Sequence, residues 1–253
     1  MEQLIITKKA REVGTSAGVL LPRSWLNKQV VVTLYEPSRE KILLEVMSCL
    51  FEHKLNEEAK GVYLFGSYGR GDYEIDSDID VLVLTSNTNE VIRKDNYEIL
   101  VVSEDSFLKN LKSSLNYQSI LREAKVVLNE ELFDKYRAIA KKQGFDYRSL
   151  LKEIESVFKI NKDTVRMCGE ERMVVPDGVV YSLILRLREL YLIKCILSSK
   201  SYQKEDFLKA VGEKAYLSYL RVKRDNKELD NTPADELKNL LELSEKWLKE
   251  LKD

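Results

Sequence analysis

Asp78 and Asp80 stand two residues apart at the head of an apolar run, Val81-Leu82-Val83-Leu84, eleven residues after Ser67. Side chains two apart on a strand share a face, so these carboxylates aim together while Ile79 turns into the protein. Just before them lies Gly66-Ser67-Tyr68-Gly69-Arg70-Gly71. Glycines at 66, 69 and 71 let backbone come close to phosphates, Ser67 offers an N–H and a hydroxyl, and Arg70 adds a charged donor. Paired carboxylates beside such a turn suit a hard divalent cation carrying a nucleotide's phosphates. Phosphoryl or nucleotidyl transfer to a hydroxyl needs that arrangement.

A third carboxylate would complete the site. Glu98 sits in Tyr97-Glu98-Ile99-Leu100-Val101-Val102, where an acid among β-formers calls for a compensating charge, and a metal ion would supply it. Glu104 and Asp105 compete for the role, but both follow the strand and read better as the first turn of a helix. An acid on an edge strand is the plain alternative for Glu98. A calcium loop beginning at Asp76 would need glycine and glutamate where the chain has Val81 and Asn87.

Periodicity supplies the elements that must hold these groups. Short strands are expected at 4–7, 19–21 and 30–35. Ser38 caps a helix with Ile42, Leu43, Val46, Met47, Leu50, Phe51 and Leu55 on one stripe, ending near Lys60-Gly61. A strand at 62–65 delivers the chain into the glycine turn, a second carries the aspartates, and a third runs over 97–102 after a polar connection. A helix from Ser103 through Phe107, Leu111 and Leu115 and a strand at 125–128 follow. Helices are then expected over 130–143, 148–160, 178–198, 204–211, 213–226 and 234–252. On the helix over 178–198, Ser182, Arg186 and Glu189 share a face; closing over a nucleotide, it would bring Arg186 or Lys194 to a phosphate or to the acceptor. The fold class is therefore α/β (α+β): a β-rich module over 1–37, a mixed-sheet core over 38–130 and a helical domain over 131–253.

Composition bounds the partners. Among 253 residues, 41 Lys and Arg offset 42 Asp and Glu, so no global field draws the protein to nucleic acid or to an anionic membrane. Cys49, Cys168 and Cys195 are scattered without a Cys-x-x-Cys pair, which points to a reducing cytoplasm rather than a disulfide framework or thiolate zinc site. The most hydrophobic stretch, 179–197, is interrupted by Arg186, Arg188, Glu189 and Lys194, so a buried helix and no membrane span is expected.

The ordered set Gly66-Ser67-x-x-Arg70-Gly71, spacer, Ser77-Asp78-Ile79-Asp80-Val81-Leu82-Val83 resembles the signature of the DNA polymerase beta-type nucleotidyltransferases, in the style of the minimal and aminoglycoside members. The resemblance covers roughly 39–130. It implies that Gly66 and Ser67, with Arg70, bind the triphosphate, that Asp78 and Asp80 bind Mg²⁺ (two ions, with Mn²⁺ an alternative), and that Glu98 is the third ligand. A nucleoside monophosphate would pass from a nucleoside triphosphate to a hydroxyl of a protein, nucleic acid or small molecule. Some minimal members work with a helical ribonuclease domain bearing an Arg-x4-6-His motif; the one histidine, His53, lies before the core, so the C-terminal region lacks that motif.

The pattern Gly14-Thr15-Ser16-Ala17-Gly18-Val19-Leu20-Leu21-Pro22 resembles the AbrB-like swapped-hairpin modules, which form intertwined dimers and often bind DNA. That resemblance implies a homodimer, with Lys8, Lys9, Arg11 and Arg23 available to phosphates. It also sets a second reading, a DNA-binding or antitoxin-type regulator whose core serves as a partner-binding module.

Overall fold

The computed structural model describes residues 6, 8, 10–33, 37–74, 77–230 and 232–252. The first element is a small hairpin, β1 (Arg11–Val13) with β2 (Ser16–Gly18), turned by Gly14 at φ 60°. The strands expected at 19–21 and 30–33 do not form; 4, 5, 34 and 35 lie outside the described residues. A strand needs a partner ladder, and these segments have none among the described residues. Their apolar side chains stand in solvent, Val31 at 92% exposure and Leu20 at 71%.

Helix α1 (Arg39–Glu52) starts on Ser38, whose side chain accepts from the Lys41 N–H. It stops well short of the expected Lys60. Lys54 turns left-handed at φ 61°, and the Leu55 and Lys54 N–H groups donate back to the Leu50 and Phe51 carbonyls. That is a Schellman closure, with Leu55 tucked under the last turn.

Next come β3 (Ala59–Phe65), the one-and-a-half-turn helix α2 (Gly66–Arg70), β4 (Ile79–Thr85), β5 (Glu90–Lys94), β6 (Tyr97–Ser103), α3 (Glu104–Asn110), α4 (Leu115–Glu123) and β7 (Lys125–Leu128). The strands form one mixed sheet in the order β5-β6-β4-β3-β7, with β4 and β6 parallel and the other pairs antiparallel. Strand β5 corrects the expected polar connection: Val91 and Ile92 form a ladder with β6 after a tight turn at Asp95, φ 52°. The expected single helix from Ser103 is two, because Ser114 caps a fresh start at Leu115.

Alternation sorts the sheet's side chains. Val62, Leu64, Val81, Val83, Ile99 and Val101 pack under α1 with Ile42, Val46 and Leu50. Tyr63, Leu82, Leu84 and Val102 face the other way, against Phe107, Ile120, Phe133 and Tyr136 of α3, α4 and α5 (Glu130–Gln143). Asp80 and Glu98 have the parity of this second face.

Helices α6 (Arg148–Glu170), α7 (Asp177–Leu197), α8 (Lys204–Val211), α9 (Glu213–Lys223) and α10 (Ala234–Lys252) build a separate core, joined by the two-residue strands β8 (Val174–Val175) and β9 (Thr232–Pro233). Helix α6 runs ten residues past the expected end at 160 because its buried stripe continues through Asn161, Val165 and Cys168; Asn161 donates to Ser182 Oγ at 2.9 Å. Asp177, fully buried at the head of α7, takes Arg221 of α9 at 2.7 and 2.9 Å and the Leu229 N–H at 3.0 Å. No helix among the described residues is long and apolar enough to cross a membrane.

Candidate active site

The site lies at one edge of the sheet, where β3 ends and β4 and β6 begin. Asp80 is the direct register partner of Phe65 on one side and of Glu98 on the other. Helix α2 starts immediately after Phe65. Gly66, at φ 65°, presses on Asp80: a Cβ there would collide with the Asp80 carboxylate. Its missing side chain therefore serves this close approach. Gly69 packs instead on carbonyls, with room for a Cβ only 2.8 Å from Leu64 O, and Gly71 is the left-handed C-cap at φ 83° in open space. The expected open phosphate turn is thus a short helix in which Gly66 alone adjoins a site carboxylate. Phe65 gives α2 no side-chain cap, so its first N–H groups lack an intrahelical acceptor.

Asp80 is half-buried, and Asp78 is exposed. Burial first, then the neighbouring Glu98 and Asp78 charges, push the Asp80 carboxyl up to about 6, while Lys223 and Arg70 pull it back. Glu98 turns outward to Arg93, its register partner on β5, at 2.6 Å. Arg70 spends Nε on Asp72 at 3.2 Å and Nη1 on Glu123 at 3.1 and 3.2 Å, with its guanidinium 5.0 Å from the centre of the Tyr202 ring. It ties α2 to the end of α4 and to the helical half.

The family model for the nucleotidyltransferase domain matches residues 48–172. Residues 48–172 form a nucleotidyltransferase domain. A nucleotidyltransferase-like protein from Exiguobacterium sibiricum, known from a crystal structure, is 14% identical over 83% of this chain and 75% of its own, with a TM-score of 0.33. No curated protein matches the chain significantly. The matched segment contains the whole five-stranded sheet, α2 and all three expected site carboxylates; residues 1–37, expected to be an AbrB-like module, lie outside it, and nothing here confirms that expectation.

Among the described residues, no three acidic, histidine or cysteine side chains converge closely enough to hold a metal as they stand. Glu98, one of the three expected ligands, is paired with Arg93 instead. The donor set nevertheless fits a hard divalent cation. It is all carboxylate oxygen, and Asp80 is half-buried beside like charges that a cation would relieve.

From the helical half, Arg186 is paired with Glu189 at 2.6 Å, and Lys194 with Glu250 at 2.6 Å, over the Trp247 ring. Neither is presented to the carboxylates. The residues that do reach the edge were not legible in sequence: Glu123 under Arg70, Arg188 at 5.6 Å from the Tyr202 ring, and Lys204 and Arg224 at 2.6 and 3.8 Å from Glu74, in the loop leading to Asp78. No local motif marks them, since each partner is distant along the chain.

Proposed function

We propose that this nucleotidyltransferase moves a nucleoside monophosphate from a nucleoside triphosphate to a hydroxyl, releasing pyrophosphate, with Asp78, Asp80 and Glu98 holding divalent metal: two Mg²⁺, or Mn²⁺. The registry of Asp80 with Glu98 beside Gly66, inside the matched segment, carries this reading. When bound, the metal would neutralise phosphate charge and acidify the acceptor hydroxyl.

In this reading Gly66 and Ser67 receive the triphosphate on the uncapped N–H groups of α2, with the Ser67 hydroxyl as a further donor. Arg70 holds α2 in place through Nε and Nη1, leaving Nη2 for a phosphate oxygen. The acceptor oxygen bonds to the α-phosphorus, the α–β bridging bond breaks, its electron pair leaves with pyrophosphate, and the hydroxyl proton passes to water. Pyrophosphate release, assayed with Mg²⁺ and each of the four triphosphates, tests the reading; labelled nucleotide with cell extract then identifies the acceptor class. Absence of both release and labelling overturns it.

The exposed apolar side chains Leu20, Leu21, Val30, Val31 and Val32, which have no strand partner among the described residues, support pairing with a second copy. Light scattering tests this: a monomer at micromolar concentration refutes it.

A further inference from the structure

Helix α9 ends beside the loop that leads to Asp78, with Arg224 just past its end 3.8 Å from Glu74, although it lies outside the matched nucleotidyltransferase segment. Its last turn is fixed from two sides. Arg221 is locked into the buried Asp177, and Arg224 reaches Glu74, which Lys204 also grips at 2.6 Å. The Glu74 N–H in turn donates to Ser77 Oγ at 2.8 Å, one residue before Asp78. Lys223 lies between the two anchored arginines.

Tyr216, Tyr219 and Lys223 recur at three- and four-residue spacing and so share one face of α9. That face is ordered by stacking: Tyr219 lies flat on Tyr181 at 5.2 Å and on Tyr216 at 5.4 Å. Lys223 is exposed and makes no ion pair among the described residues, whereas Arg186 and Lys194 on α7 are both engaged. Its charge is the strongest opposing one that Asp80 feels.

We propose that Lys223 is a phosphate-binding residue of the active site, supplied by the helical half: it faces the carboxylates and donates to the triphosphate when nucleotide and metal enter. This rests on the transferase reading above. A lysine ammonium is a compact charge with three donors, suited to the oxygens of a departing pyrophosphate. In the nucleotide-free protein the same ammonium opposes a metal ion at Asp80.

The two roles predict opposite signs for one substitution, which a structural role does not. Lys223→Gln weakens binding of a nucleoside triphosphate in Mg²⁺ about tenfold or more by calorimetry, the loss of one charge-assisted bond. It also tightens Mn²⁺ binding to the nucleotide-free protein, read from the free-ion paramagnetic resonance signal. Lys223→Arg restores most nucleotide affinity. A wild type that binds triphosphate and releases pyrophosphate, with Lys223→Gln equal to it, overturns the role of Lys223 alone. Weakened Mn²⁺ binding together with a lowered melting temperature overturns it as well, in favour of a structural lysine. A wild type that neither binds any triphosphate nor releases pyrophosphate overturns the transferase reading, and the phosphate role falls with it.

Discussion

Asp80 on β4 and Glu98 on β6 are direct partners across a parallel ladder, two acids side by side at the same end of adjacent strands. Burial makes ionising Asp80 costly, and the Glu98 charge beside it adds to that cost. The protein accepts that cost at one point on an otherwise apolar sheet.

Asp80→Asn and Asp78→Asn are expected to abolish pyrophosphate release with the fold intact. Asp80→Asn should also raise stability. The Asp80 carboxyl sits at about 6 against an ordinary 3.8, so the folded state binds its proton more tightly than the unfolded chain does. The penalty is absent below the unfolded value and complete above pH 6, on the order of 1–3 kcal/mol. In chelator, thermal melts should show the Asn variant ahead of wild type at pH 7.5 and level with it near pH 3.5. Full activity in either variant would sink the site assignment.

Gly66→Ala drives a methyl group into the Asp80 carboxylate and strains a residue at φ 65°. We expect activity to fall at least tenfold. Gly71→Ala meets no neighbour and carries only the left-handed strain, about 1 kcal/mol, so it should keep activity while losing a few degrees in melting temperature. Equal activities for the two variants would contradict the close approach of Gly66 to Asp80.

Arg70 and Glu123 are 13% and 11% exposed as a pair. Arg70→Ala leaves the Glu123 carboxylate buried without its nearest cation, and should cost roughly 3 kcal/mol in urea unfolding. Adding Glu123→Leu should recover most of that loss. No recovery in the double variant would show that Arg70 stabilises by another route, such as its stacking on Tyr202.

Glu104 gives the opposite pH signature to Asp80. Its hydrogen bond from Lys60 at 2.6 Å, with Lys135 nearby, holds the carboxyl down at about 2 against 4.5. That stabilisation is whole above pH 4.5 and fades as pH falls toward 2. Glu104→Gln should therefore cost roughly 1–3 kcal/mol at pH 7. Urea melts at pH 7 and pH 3 should show a smaller gap between variant and wild type at the lower pH.

How much of this is legible in the chain depends on the range of the interaction. A period of two is local, so the shared face of Asp78 and Asp80 and the inward turn of Ile79 follow from sequence, and buried Ile79 agrees. The start of α1 follows from Ser38, a capping residue, whereas its end does not, because Lys54 is an unusual residue in a left-handed position. Strand β5 left only Val91-Ile92 and a polar turn as its trace, too short a signal against its charged neighbours. Arg93 meets Glu98 only through that unread hairpin, while Glu123 and Lys223 act on residues far along the chain, and nothing near them in sequence reveals their partners.

The grip of Lys204 and Arg224 on Glu74 has a temporal side. A ribosome releases the sheet, the glycine helix and all three carboxylates long before it releases α8 and α9. A nascent chain that has emerged through α5 therefore carries the acids with Arg70 and Arg93 but without Lys204 and Arg224, and lacks their grip on the loop before Asp78. That grip arrives only with the last third of the polypeptide.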